Sequence, residues 1–412
     1  MKKIFYGWRM VAAGCAMQFV QSCLLLQAFG AYVAVLRDDM RWSKTELAGA
    51  AALHQMEAAI LGPILGWFLD RFGPRGVIRT GVFVMGFGFM LLSQIDGQIA
   101  FYGAFLVVAI GSSLMGFFPL NVALIHWFEK KRARALSSMQ VGMALGGLAV
   151  PLVAWSLATF GWRPTAFCSG IAVLVLGIPL SLVMRNKPAE YGEVVDGVVE
   201  KPEEEKHSEA KQSDTRDFTA REALRTSAFW LISLGHGFSL FVVTGVNVHA
   251  ITHMKEGLHH SVEAAAFVIT LQTIFQLFGI ATGWWVGDRY SKRLLSAACM
   301  FGHMAGLLCL TYATGWGMLV AFAALHGYSW GLRGPFMQAI RADYFGTSAI
   351  GMILGLSFLI IVVGQIGGPL IAGLLADATG DYRAGFTTLA MLAGVGSVFF
   401  LMAKRPERPR RT

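Results

Sequence analysis

Twelve stretches of nearly continuous apolar residues follow one another along the chain, near 10–35, 46–69, 77–95, 99–127, 135–159, 164–184, 228–252, 262–287, 294–314, 317–340, 348–375 and 385–403. A helix crosses about 30 Å of hydrocarbon with roughly 20 apolar residues, because it satisfies every backbone N–H and C=O within itself. Barrel strands alternate apolar and polar positions over about ten residues, and these runs do not alternate. The pattern therefore predicts an all-α membrane protein with twelve transmembrane helices. Between Asn186 and Arg225 the texture changes to polar stretches such as Glu203-Glu-Glu-Lys206, with almost no large apolar side chains. Such a stretch cannot build a core and reads as a solvated tether. The expected organisation is a six-helix bundle over 1–185, a cytoplasmic linker over 186–226 and a second six-helix bundle over 227–412.

Composition agrees with the pattern. Only 14% of the 412 residues are charged and 55% are hydrophobic, where a soluble globular chain carries about 25% charged residues. Mean hydropathy is +0.56. Lys and Arg gather on one set of loops: Lys2, Lys3 and Arg9, the loop after Asp70, Lys130 to Arg134, the linker, the loop after Asp288, and the tail from Lys404 to Arg411. The opposite loops hold only Arg37, Arg41, Lys44, Arg163, Lys255 and Arg383. Basic loops stay inside, so both termini are expected in the cytoplasm of a cell whose inner membrane the chain spans many times. The net charge of +9 is then a topology signal, and no nucleic-acid partner is implied. Met1-Lys2-Lys3 precedes a long apolar run, so the first helix is read as a retained anchor rather than a cleaved leader. Cys15, Cys23, Cys168, Cys299 and Cys309 fall inside spans without metal-type or secreted spacing, and read as small packing residues.

The chain also repeats itself. Gly66-Trp-Phe-Leu-Asp70-Arg71-Phe-Gly73-Pro-Arg75 and Gly283-Trp-Trp-Val-Gly-Asp288-Arg289-Tyr-Ser-Lys292-Arg293 place two Asp-Arg loops 218 residues apart. Gly161-Trp162-Arg163 and Gly380-Asp-Tyr382-Arg383 give a second anchor, their arginines 220 residues apart. Shared offsets at unrelated motifs indicate duplication of one half.

The first loop resembles the signature between the second and third helices of the major facilitator superfamily, and twelve spans with a polar central loop match that family along the whole chain. Tyr6-Gly7-Trp8, Gly334-Pro335, Asp343-Tyr344-Phe345-Gly346 and Gly367-Gly368-Pro369 through Tyr382 further resemble bacterial carriers of the monocarboxylate and oxalate:formate type. The resemblance implies two bundles related by a pseudo-two-fold axis. It also implies secondary transport of a small organic anion by alternating access, coupled to protons or to a counter-anion, without a cofactor and as a monomer in the bilayer. It implies a gate in which Asp70 meets the start of the eleventh helix near Thr347-Ser348, with Arg71, Gly73 and Arg75 around it. Asp288 and Arg289 form the second such loop, where Trp284 stands in the glycine register of the first.

Ionisable groups deep in a span are costly and point to function. Glu57 and Arg333 qualify, with His54, His236, His303 and His326 as further cases. A guanidinium in the tenth span would hold a carboxylate bidentately, or serve as a structural ion pair. His54 and Glu57 lie three apart on one helical face and could share a transported proton, or form a structural hydrogen bond. Gln21, Gln27, Phe117, Asn121, Asn247, Tyr328 and Trp330 are candidate cavity lining. In the eighth span the related monocarboxylate carriers place an arginine where this chain has Gly279, with Gln272 and Gln276 nearby. That substitution keeps a second reading open, proton-driven efflux of an amphipathic drug-like compound, which 30 Phe, 19 Met and 11 Trp would suit. No hydrolase or nucleotide-binding motif is present, so an enzyme is not expected. His249, His253, His259 and His260 cluster without thiol or carboxylate partners at ligand spacing, and read as surface histidines rather than a metal site.

Overall fold

The computed structural model describes residues 5–42, 44–197 and 215–410. Lys2, Lys3, Arg411 and the run Glu203 to Lys206 lie outside the described residues, as do the side chains of Arg37 and Lys44. The chain divides into two compact units, Met1–Glu203 and Glu204–Thr412. All regular elements among the described residues are helical.

In the first unit the spans are Tyr6–Gln21 with Phe29–Met40, joined by a π-turn at Ser22–Leu26; Lys44–Phe72; Pro74–Leu92; Gln98–Met115 with Phe117–Trp127; Arg132–Leu148 with Val150–Phe160; and Trp162–Val183. The second unit runs Ser227–Thr252, with a π-turn at His253–Gly257, then Val262–Val286, Lys292–Thr311, Trp316–Phe345, Ile350–Thr379 and Arg383–Met402. Twelve spans result, as expected, numbered here first to twelfth. Ten of them are long and apolar enough to cross a membrane on composition. The second and tenth match them in length, at 29 and 30 residues, and are the two that bury Glu57 and Arg333.

In lipid the helices gain little from hydrophobic burial against one another, so close backbone packing carries their association. The two units solve this in the same way. A Cβ on Gly142 of the fifth span would strike the Cys15 carbonyl of the first, and one on Gly146 would strike Ser22. At the matching positions 222 residues on, Gly364 and Gly368 of the eleventh span meet the carbonyls of Gly237 and Phe241 of the seventh. Small residues there are obligatory in both halves, and the match adds a third anchor to the duplication.

Breaks distinguish the units. Gly116 interrupts the fourth span and leaves the preceding carbonyls without their helical donors. Gln21 Nε2 answers from the first span, donating to Ser112 O at 2.9 Å and Ser112 Oγ at 2.6 Å. The tenth and eleventh spans of the second unit run unbroken for 30 residues each.

The two flanks of the polar segment are folded onto their own units. Asp196 accepts from the N–H groups of Glu129 at 3.2 Å, Lys130 at 2.6 Å and Lys131 at 3.3 Å, just before the fifth span. Asp217 accepts from Thr347 N–H at 2.8 Å, Ser348 N–H at 3.1 Å and Ser348 Oγ at 2.8 Å, just before the eleventh. Each half therefore draws the cap of an equivalent helix from its end of the polar segment. Both place a carboxylate on backbone N–H groups just ahead of a helix start, where the helix dipole is positive.

Candidate functional site

The second unit holds a buried cationic core. Arg333 in the tenth span is 1% exposed, and its Nε and Nη1 have no hydrogen-bond partner among the described residues. Arg341, two turns further along, is also 1% exposed. Its Nε donates to Ser357 Oγ at 3.1 Å, its Nη1 donates to Met337 O, and its Nη2 has no partner. Ser233 Oγ donates to the same Ser357 Oγ at 2.9 Å, so the seventh and eleventh spans meet over this guanidinium. His236 of the seventh span faces both arginine charges, and Cys299 of the ninth faces Arg333. Burying a guanidinium without a counter-charge costs several kcal/mol, well above the roughly 1 kcal/mol net gain of a hydrogen bond. Packing does not explain Arg333, whereas an entering anion would.

Glycines hold this core together. Gly327 and Gly331 bring the tenth span against the Gln272 and Gln276 carbonyls of the eighth, and Gly279 meets the Tyr328 carbonyl in return. That contact leaves no room at Gly279 for the arginine expected by resemblance. Gln272 is buried with Oε1 unpartnered, while Gln276 and Tyr328 are half-buried. Asn247 is exposed on its unit. Gly302 and Gly306 bring the ninth span to the other side of the tenth, where His303 and His326 face each other, Nδ1 to Nδ1, at 3.1 Å.

In the first unit the buried polar groups include Arg132, whose Nε donates to Phe128 O at 2.9 Å just before the fifth span, beside neutral and acidic groups. Glu57 is 8% exposed; its Oε2 accepts from Ser113 Oγ at 3.1 Å and its Oε1 has no partner. No hydrogen bond joins it to His54, whose ring lies edge-on to Phe105. Gln18, which the sequence reading passed over, is 1% exposed with neither amide atom bonded. Asn121 donates to Phe117 O and keeps Oδ1 unpartnered. Phe117 is half-buried and Gln27 exposed. Gln21 is committed through its amide nitrogen to the break at Gly116, with only Oε1 unpartnered.

The Asp70 loop turns on Gly73 at φ +76°, where a side chain would be strained and would strike Asn186. Asn186 Oδ1 accepts from Arg75 N–H at 3.0 Å, and Arg75 Nη1 donates to Tyr191 Oη at 3.1 Å. Arg71 lies over Trp67. Leu69 to Pro74, His126 and Asn186 to Glu190 enclose much of a cavity of about 130 Å³. In the other loop Arg289 lies over Trp285, and Lys292 pairs with Asp343 of the tenth span at 2.9 Å. Asp217 engages Thr347 and Ser348, where the family resemblance places Asp70. Burial opposes the charged form of Asp217, but the bonds from Thr347 and Ser348 and the Arg408 charge prevail and hold its carboxyl below the ordinary range.

Two expectations need correction. His253 is not a surface residue: it is 1% exposed beneath Tyr382 and Phe386, with its Nε2 at 3.2 Å from Leu310 O in the last turn of the ninth span. Arg341 escaped the sequence reading because the tenth span was ended at residue 340. Gly346, at φ +85°, marks the true stop and was the available signal.

The family model of the Major Facilitator Superfamily matches residues 12–249 and 232–412. The chain belongs to this superfamily. Monocarboxylate transporter 13 from Bos taurus is 24% identical over 424 residues, spanning 98% of this chain and 92% of the relative. Glycerol-3-phosphate transporter from Bacillus subtilis (strain 168) is 24% identical over 396 residues, spanning 92% and 88%. Among solved structures, the superfamily transporter FucP in its outward conformation superposes with a TM-score of 0.75 at 14% identity, covering 96% of this chain and 99% of that one. The human organic anion transporter MFSD10 gives 0.73 at 14% identity, covering 96% and 99%. These likenesses establish a twelve-helix transporter fold in a multi-pass membrane protein.

Proposed function

We propose that this superfamily member carries a small organic anion of the monocarboxylate type across the membrane by alternating access, as a secondary carrier. Arg333 carries the reading. It is a permanently charged, buried fork with two unpartnered donors, in a unit whose neighbouring interior groups are cationic or neutral. The anionic cargo in the names of the monocarboxylate and glycerol-3-phosphate relatives supports the same class. Gln272 and Tyr328 stand nearest in sequence and packing to line the site in this half. Gln276 and Asn247 complete the proposed lining there, and Gln21, Gln27, Phe117 and Asn121 are assigned to the other half. Glu57, with His54, is a possible coupling group. Asp70, Arg71, Gly73 and Arg75 form the principal gate, and Asp288 and Arg289 a lesser one. The loop bias of Lys and Arg supports a cytoplasmic-membrane protein with both termini inside.

Uptake of a panel of labelled carboxylates into proteoliposomes tests the reading. Wild type is expected to accumulate at least one, and Arg333→Ala and Arg333→Lys to lose it. Normal carboxylate transport by both variants would remove Arg333 from its role.

A further inference from the structure

His303 and His326 are 0% exposed, their rings 4.7 Å apart, with Nδ1 facing Nδ1 at 3.1 Å and both Nε2 atoms unpartnered. Two neutral imidazoles can make that contact in only one way. One ring donates its Nδ1–H to the bare Nδ1 of the other, which must then carry its proton on Nε2. The donating ring is left with a bare Nε2, so the pair has one vacant basic nitrogen. A proton arriving there turns the donor into an imidazolium and the shared contact into a charge-assisted hydrogen bond, with no other bond made or broken.

The surroundings decide when that proton is accepted. Burial acts most strongly on both histidines and the Arg333 charge adds to it; Arg333 lies on the His326 face of the tenth span, since a seven-residue separation is nearly two whole turns. Cys299 of the ninth span shares the Arg333 field. The eighth span contributes the uncharged Gln272 and Gln276, and the twelfth has no ionisable residue beyond Arg383 at its start. No carboxylate faces the pair among the described residues. Phe322 stacks on His326 and completes an apolar wall.

We propose that His303 and His326 form a proton-binding site whose occupancy responds to the charge at Arg333, so that an anion arriving there raises its affinity for a proton. This rests on the anion reading of Arg333 and adds its coupling ion. With the arginine uncompensated, a proton on the pair adds a second cation to a closed interior. With an anion on Arg333, the proton restores the net charge of the empty site. At an axial separation of about 10 Å and an effective dielectric constant of about 20, one unit charge changes proton affinity about tenfold, or about one pH unit. By linkage, protonation of the pair tightens the anion by the same factor.

The test is solid-state ¹⁵N NMR of the full chain in lipid, histidine-labelled, with the pair assigned by His303→Gln and His326→Gln. The expected result is that the pair in Arg333→Gln takes its proton about one pH unit higher than in wild type, and that pyruvate moves wild type in the same direction. At a pH between the two midpoints a pH-sensitive dye should then report up to about half a proton taken up per pyruvate bound, and none in His303→Gln/His326→Gln. Equal titration of the pair in wild type and Arg333→Gln overturns the proposal, as does undiminished proton uptake in the double variant. If Arg333→Gln shifts the pair but neither pyruvate nor succinate does, the proton site and its link to Arg333 stand and the carboxylate reading of the cargo falls.

Discussion

The two halves share a plan but differ in what they bury. The first unit breaks three of its six spans and, within them, buries the amides of Gln18, Gln21 and Asn121 and the Glu57 carboxylate, its buried Arg132 and Asp196 standing at the start of the fifth span and in the polar segment. The second keeps its tenth and eleventh spans whole and buries two guanidinium groups and a histidine pair. Duplication preserved the glycine contacts that hold helices together, while the interior chemistry diverged. On the proposed reading, charge preference belongs to the second half and the first supplies mainly hydrogen-bonding surface.

The largest effect that would break this contrast is at Arg333 and Glu57. Arg333→Ala should cut carboxylate transport at least about a hundredfold, since two hydrogen bonds to a charged group are worth about 1.5–3 kcal/mol each. Glu57→Gln should cost only a few-fold, and equal losses in initial-rate uptake would place the charge preference in both halves. Next come the loops. Asp70→Asn should slow uptake more than Asp288→Asn, because only the first keeps its glycine register; equal or reversed effects would make the loops equivalent.

A smaller, structural effect is expected at Gln21. Gln21→Leu should lower unfolding stability by about 1–3 kcal/mol through the orphaned Ser112 carbonyl and leave KM for the anion within about twofold. A KM rise of tenfold with unchanged stability would make binding, rather than bracing, the larger part of the role of Gln21. Smallest is the cap at Asp217. A negative charge beside a helix N-terminus is worth about 0.3–1 kcal/mol, so Asp217→Ala should lower Tm by up to a few degrees at neutral pH. The folded carboxyl lies below its ordinary range, so its contribution is complete above the unfolded pKa of about 4 and fades as pH falls through the folded value. The Tm gap between wild type and Asp217→Ala should therefore close in acid, and a constant gap would assign the cap's value to something other than its charge.

The spans were legible because crossing hydrocarbon demands long apolar runs, and the duplication because turns such as Gly73 tolerate few substitutes. The helix breaks were not. A break at Gly116 is set by Gln21 reaching across from another span, and no local pattern records that contact. The caps were hidden for a different reason: Asp196 and Asp217 sit in polar stretches whose composition is the same whether a carboxylate faces water or a helix end. Arg333 stood out in the sequence as a lone charge in an apolar run. The meaning of His303 and His326 required their meeting across 23 residues of chain.

The paired caps also bear on how the molecule could be taken apart. Asp196 serves the fifth span and Asp217 the eleventh, each from within its own half. A cut anywhere between them leaves both caps attached to the bundles they serve. The gene can thus be divided at residues 198–214 into two open reading frames, each encoding a product that keeps its own carboxylate contact, Asp196 in one and Asp217 in the other. Co-expression of the pieces, rather than insertion of a longer tether, is the natural way to ask what the covalent connection contributes.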